Sequence, residues 1–114
     1  MKDFKKKKKK IVDYYKNKLI DKKILHQRIT RNSIHSYQSF CVLLNNRNSI
    51  RKKLRQKGIE SQVGYYALNK LKCYKNIKNV SFSENLEESE QAAKKSLCLP
   101  LYHELTIKNQ DYVV

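Results

Sequence analysis

The chain has a single proline, Pro100, inside the apolar run Leu97-Cys98-Leu99-Pro100-Leu101. Proline lacks a backbone N–H and discourages helix in the residue before it, so Leu97 to Leu101 must leave any preceding helix as an extended segment. Thr106 then offers a hydroxyl that can cap a new helix over "TIKNQDYVV". Its apolar residues, Ile107 and Tyr112 to Val114, are too few to finish a helix, and the chain is expected to stop in mid-element.

A helix is expected ahead of that segment. Ser81 and Glu84 have capping-box spacing, with Ser83 as a competing cap. Glu84, Glu87 and Glu88 fall in its first turns and Lys94 and Lys95 in its last, complementing the helix dipole at both ends. Leu86, Ala93 and Leu97 supply a weak apolar face that must lean on something larger. Ala67 to Ser81 has no dominant period and reads as a loop with a short helical turn.

The N-terminal half carries clearer periods. From about Phe4 to Ile24, Ile11, Val12, Tyr15 and Leu19 form one stripe at 100° per residue among lysines, which predicts a long amphipathic helix. Leu25 to Ser33 shows no period and reads as a connection. Alternation in His35 to Leu44, "HSYQSFCVLL", predicts a strand. "NNRNSIRKKLRQKG" predicts a short helix stopped at Gly58, and "IESQVGYY", Ile59 to Tyr66, resumes a period of two as a second strand. The order implies an α+β fold, a small antiparallel or mixed sheet with helices over one face. Residues 1–24 are expected to be a basic linking helix and 25–114 one small domain, because 114 residues hold at most one domain.

The formal net charge of +16 would attract polyanions, but it is uneven. Met1 to Lys23 holds eleven lysines against three aspartates, whereas Glu84 to Glu104 holds five glutamates against two lysines. Weak, non-specific polyanion binding is expected through Lys5, Lys6, Lys7, Lys8, Lys9 and Lys10. A dedicated nucleic-acid module should interleave basic residues with exposed aromatics, and Tyr15, Tyr37 and Tyr65 stand where packing explains them. Cys41, Cys73 and Cys98 are odd in number and far apart, and read as reduced thiols of a cytoplasmic protein. His26, His35 and His103 share no metal-ligand spacing with each other or with the cysteines, so no metal site is expected. No apolar run approaches the roughly 20 residues of a membrane span.

Leu97-Cys98-Leu99-Pro100-Leu101-Tyr102-His103-Glu104-Leu105-Thr106 resembles the C-terminal segment of the DegT/DnrJ/StrS family of pyridoxal-phosphate-dependent sugar aminotransferases, typically Leu-Ser-Leu-Pro-(Leu/Met)-Tyr-Pro-x-Leu-Thr. Here cysteine replaces serine and histidine replaces proline. Ser89-Glu90 is similar to the family's Ala-Glu, His35-Ser36-Tyr37 to its His-x-Tyr strand, and "RKKLRQKGIESQV" to its helix, Lys-Gly-Ile turn and strand. "GYYALNKLKCYKN" resembles a subgroup's Gly-Thr-Tyr-Ala-Leu-His-x-Leu-Pro-x-Tyr-Lys, with Asn69 for the histidine and Lys72 for the proline. "KKKKKKIVDYYKNKL" resembles the basic helix that joins the family's two domains.

The resemblance implies the C-terminal small domain of a fold-type I aminotransferase, truncated at its last helix. In the family, the Schiff-base lysine, the acidic partner of the pyridine nitrogen and most phosphate contacts lie in a large N-terminal domain. No catalytic or cofactor-binding residue is therefore carried over to this chain. The family's reaction moves an amino group from an amino acid to a keto-sugar nucleotide. The expectation here is a remnant or fragment, inactive alone, with pyridoxal phosphate belonging to the intact enzyme. A subunit completing a split enzyme and a basic nucleic-acid-associated module are the alternatives. Tyr66, Asn69, His35 and Tyr37 are the substrate-facing candidates. Apolar helix faces that would lie near a large domain imply marginal stability alone, with a large-domain chain or self-association as partner.

Overall fold

A computed structural model describes residues 2–82 and 85–114. Helix α1 (Lys2–Ile20) buries Ile11, Val12, Tyr15 and Leu19, the stripe read from the sequence. It stops at Ile20 rather than Ile24 because Lys23 takes a left-handed conformation, φ 53°. The amide of Lys23 donates to Ile20 O at 3.0 Å and that of Ile24 to Leu19 O at 3.3 Å, which closes the helix on its own last carbonyls. Helix α2 (Arg47–Gln56) ends the same way at Gly58, φ 74°, with Ile59 N donating to Leu54 O at 2.9 Å. Here glycine makes the left-handed turn without steric penalty, and Leu54 and Ile59 are both buried in the core.

Four short strands form one antiparallel sheet in the order β1-β2-β4-β3: β1 (Leu25–His26), β2 (Phe40–Leu43), β3 (Gln62–Val63) and β4 (Ser96–Leu99). Strand β4 is the extended segment that Pro100 forces out of the preceding helix. Sequence reasoning reads it as a link, whereas in the fold it lies between β2 and β3. Phe40 faces Leu99 and Val42 faces Leu97, and all four point into the core formed with α1, Leu54 and Leu105. β1 lies in the stretch expected to be a connection, held by pairing with β2 and not by any hydrophobic period.

Two expected strands are much shorter than their patterns. In His35 to Leu44 only Phe40–Leu43 pairs, because Tyr37 is left-handed at φ 49° and its amide donates to His35 Nδ1 at 2.9 Å. That local bond takes the backbone donor a sheet would have used. In Ile59 to Tyr66 only Gln62–Val63 pairs, and Tyr65, expected to pack, is 47% exposed.

The expected loop Ala67 to Ser81 contains a 3₁₀ turn, Leu68–Lys70, and helix α3 (Lys72–Lys75). Helix α4 (Glu87–Lys95) has Glu87, Glu88 and Glu90 in its first turn and Lys94 and Lys95 in its last. Ser83 and Glu84, part of the expected capping box, lie outside the described residues; Asn85 Oδ1 accepts the Glu87 amide at 3.2 Å. Helix α5 (Ile107–Val113) forms where the sequence reads as an unfinished element. Thr106 Oγ1 accepts the Asn109 amide at 3.2 Å, as expected of a cap, and tertiary bonds supply what propensity lacks. Gln110, 1% exposed, donates from Nε2 to Ile11 O at 2.8 Å, and Asp111 accepts from Tyr14 and pairs with Lys18. These contacts dock α5 on α1.

Candidate functional site

The four candidate residues fall into two separate places. His35 and Tyr37 lie under α1, their rings stacked with centroids 4.5 Å apart. Tyr37 is buried, and Lys16 Nζ donates to its hydroxyl at 3.3 Å. His35 Nε2 lies 2.8 Å from Gln27 Nε2, and Gln27 Oε1 accepts the Cys41 amide at 2.9 Å. The His35–Tyr37 pair is thus tied to strand β2 through one glutamine.

Tyr66 stands in an open groove of about 480 Å³ between the Tyr65–Lys70 segment and α4, lined also by Arg47, Tyr65, Lys70, Glu90 and Lys94. Asn69 sets one wall through Glu90: its Nδ2 donates to Glu90 Oε1 at 2.7 Å, and Lys70 Nζ pairs with the same oxygen at 3.1 Å. The Asn69 bond first, and then Lys70, holds the Glu90 carboxyl below its ordinary pKa, so it stays anionic. Arg47 reaches the opposite side, donating from Nη1 to Ser96 O at 3.3 Å, while its buried Nε has no partner among the described residues. Tyr65 is anchored by its amide to Ser96 Oγ at 3.0 Å. This turn needs Gly64, because a Cβ there would lie 2.9 Å from Ser96 Cβ and 3.0 Å from Cys41 Sγ.

The groove can offer aromatic faces from Tyr65 and Tyr66, cations from Arg47, Lys70 and Lys94, and one fixed carboxylate. That suits a ligand with planar and anionic parts. Among the described residues no group of three or more His, Cys, Asp or Glu could hold a metal ion. None of the described lysine side chains is buried. Sequence reading missed Arg47 and Lys94, which reach the groove only once α2 and α4 are placed beside the sheet, and Gln27, whose contacts depend on the chain lying alongside β2 next to β1. It also missed that Cys41 and Cys98, far apart in sequence, stand opposite one another on β2 and β4.

The family model for the DegT/DnrJ/EryC1/StrS aminotransferase family matches residues 1–114. The chain belongs to that family. Its fold is similar to that of a DegT DnrJ EryC1 StrS aminotransferase from Brucella abortus, with a TM-score of 0.83 at 22% identity over 97% of this chain and 29% of that one. It is similar also to the putative sugar aminotransferase Spr1654 from Streptococcus pneumoniae in its PLP form, with a TM-score of 0.79 at 24% identity over 97% and 29%. DesV of S. venezuelae, in complex with a ketimine intermediate, gives 0.87 at 18% identity over 98% and 30%. The chain therefore spans about three-tenths of the length of these structures. A comparison with curated proteins found no match. This family member has the expected α+β architecture, and among its described residues no helix is long and apolar enough to cross a membrane.

Proposed function

We propose that these 114 residues act as the small C-terminal domain of a nucleotide-sugar aminotransferase and do not transaminate unaided. The reading rests on Leu97–Thr106, the segment by which the chain resembles the family's small domain. It builds a central strand, the exit at Pro100 and the cap of α5.

The residues present do not fit pyridoxal phosphate by themselves. A Schiff-base lysine needs a neutral amine in a desolvated pocket, whereas the described lysines lie at the surface. Lys9 and Lys18 are shifted the opposite way, above the ordinary lysine range, by hydrogen bonds to Asp13 and Asp111. No step of amino transfer is assigned to this chain's lysines. Its contribution is positional: Tyr66 is the most open of the four candidate side chains, and Asn69 holds Glu90 at the wall beside it.

One observation favours a second arrangement, in which a separate large-domain chain is completed by this one. Leu25, 63% exposed, and Leu43, 38% exposed, face each other across β1 and β2 on the sheet face away from the core. An apolar strip of that kind suits a partner surface. The test is to supply the purified chain with pyridoxal phosphate, an amino-acid donor and a keto-sugar nucleotide, with and without a separately expressed family large domain. Turnover by the chain alone refutes the proposal; turnover only with the large domain supports the split arrangement.

A further inference from the structure

Cys41 and Cys98 are directly opposite one another on the paired strands β2 and β4, with their Sγ atoms 2.8 Å apart. The hydrogen-bond alternation of the sheet shows what kind of pair they form. Cys41 O accepts the Gln27 amide, so the Cys41 backbone groups point toward β1 and away from β4. Ser96 O accepts the Gly64 amide, so Ser96, and with it Cys98 two residues on, directs its backbone groups toward β3. The 41–98 pair is therefore a non-hydrogen-bonded antiparallel pair, the closer of the two kinds, with Cα atoms about 4.5 Å apart. A disulfide spans Cα separations of roughly 4.4–6.8 Å, so the backbone already meets the requirement. The two thiols differ in access. Cys41 is 3% exposed, whereas Cys98 is half-buried and lines a groove of about 580 Å³ with Ser39, Ser61, Gln62, Tyr102 and Tyr112.

We propose that Cys41 and Cys98 form a reversible cross-strand disulfide when the chain meets a low-molecular-weight disulfide such as oxidised glutathione. The Cys98 thiolate attacks one sulfur of oxidised glutathione and releases one glutathione thiolate, leaving a mixed disulfide on Cys98. The Cys41 thiolate then attacks Cys98 Sγ, forms the protein disulfide and releases the second glutathione. The two protons lost by the protein end on the two glutathione thiols. Burial, and then the hydrogen bond with Cys41, pushes the Cys98 thiol up to about 12. Tyr65, the other ionisable group against the pair, has its hydroxyl raised by burial and then by Cys41. Thiolate is scarce at neutral pH in such surroundings, so closure is slow and follows sustained rather than brief oxidation. In a reducing cytosol the pair rests as two thiols.

The test uses the full chain with Cys73→Ser, which removes the exposed third thiol. It is equilibrated in buffers of rising oxidised-to-reduced glutathione ratio, with and without urea, then quenched and digested without reduction. The expected result is loss of two hydrogens in mass, one peptide pair joining Cys41 to Cys98 in the folded chain, and much less of it in urea. The melting midpoint rises by on the order of 10 °C and returns on adding dithiothreitol. A stable glutathione adduct on Cys98 with no cross-link overturns the proposal, as does equal cross-linking with and without urea. In Cys98→Ser the midpoint is expected to ignore the glutathione ratio, and a shift that persists there also overturns it.

Discussion

Replacing Tyr15 by phenylalanine should weaken the fold at neutral pH and protect it in alkali. Tyr15 is fully buried in α1, stacks on Phe40 with ring centroids 5.7 Å apart, and donates its hydroxyl to Pro100 O at 3.2 Å. Phenylalanine keeps the ring and the stacking and removes only that bond, which costs about 1 kcal/mol at pH 7. Burial raises the Tyr15 hydroxyl far above its ordinary pKa of about 10. A group whose folded pKa is raised contributes stability that is intact below the unfolded value and is lost as pH climbs toward the folded one. The wild-type chain should therefore lose about 1.4 kcal/mol per pH unit above about pH 10 from Tyr15 alone, and the variant should not. The two stabilities should cross near pH ~11, where the loss matches the missing hydrogen bond. Urea unfolding followed by circular dichroism from pH 7 to 11.5 measures the difference; subtracting the variant cancels shared contributions such as Cys98. A difference that stays constant across that range would refute the reasoning.

Three further predictions follow from the same contacts. Thr106→Ala removes the acceptor for the Asn109 amide and should lower stability by about 1 kcal/mol in the same urea assay, with Thr106→Ser restoring most of it. Gly64→Ala puts a methyl group 2.9 Å from Ser96 Cβ and should cost about 1–3 kcal/mol, read as a lowered melting midpoint. Fluorescence anisotropy with a labelled single-stranded oligonucleotide should show weak binding that fades with salt and disappears when Lys5 to Lys10 are replaced by glutamine. Binding that survives the replacement would move the polyanion surface elsewhere.

Elements written by local chemistry were legible in the sequence. The α1 stripe, the glycine stop of α2, the charged ends of α4 and the Thr106 cap each depend on residues within a turn or two of one another. What escaped depends on partners distant along the chain. Strand β1 has no period of its own and exists because Leu43 and Val42 lie beside it. Helix α5 looked too polar to finish because its anchor, Gln110, reaches a carbonyl in α1. The pattern at His35–Leu44 overstated a strand because it could not reveal the His35–Tyr37 bond that bends the chain. In the candidate site, Tyr66 and Asn69 were singled out from a resemblance, whereas Arg47, Glu90 and Lys94 around them are visible only once α2 and α4 are placed against the sheet.

The central pairing of the sheet also sets an order of events in time. β2 and β4 join residues 40–43 to residues 96–99, so the innermost contact closes a loop of more than fifty residues. Helices α1 and α2 can flicker into existence early, but the inner faces of Phe40 and Val42 have no opposite strand until residues 96–99 arrive. During synthesis β2 would wait on the ribosome with an open edge, exposed to pairing with other nascent chains. Folding of this domain should therefore be slow for its size and sensitive to crowding by its own copies.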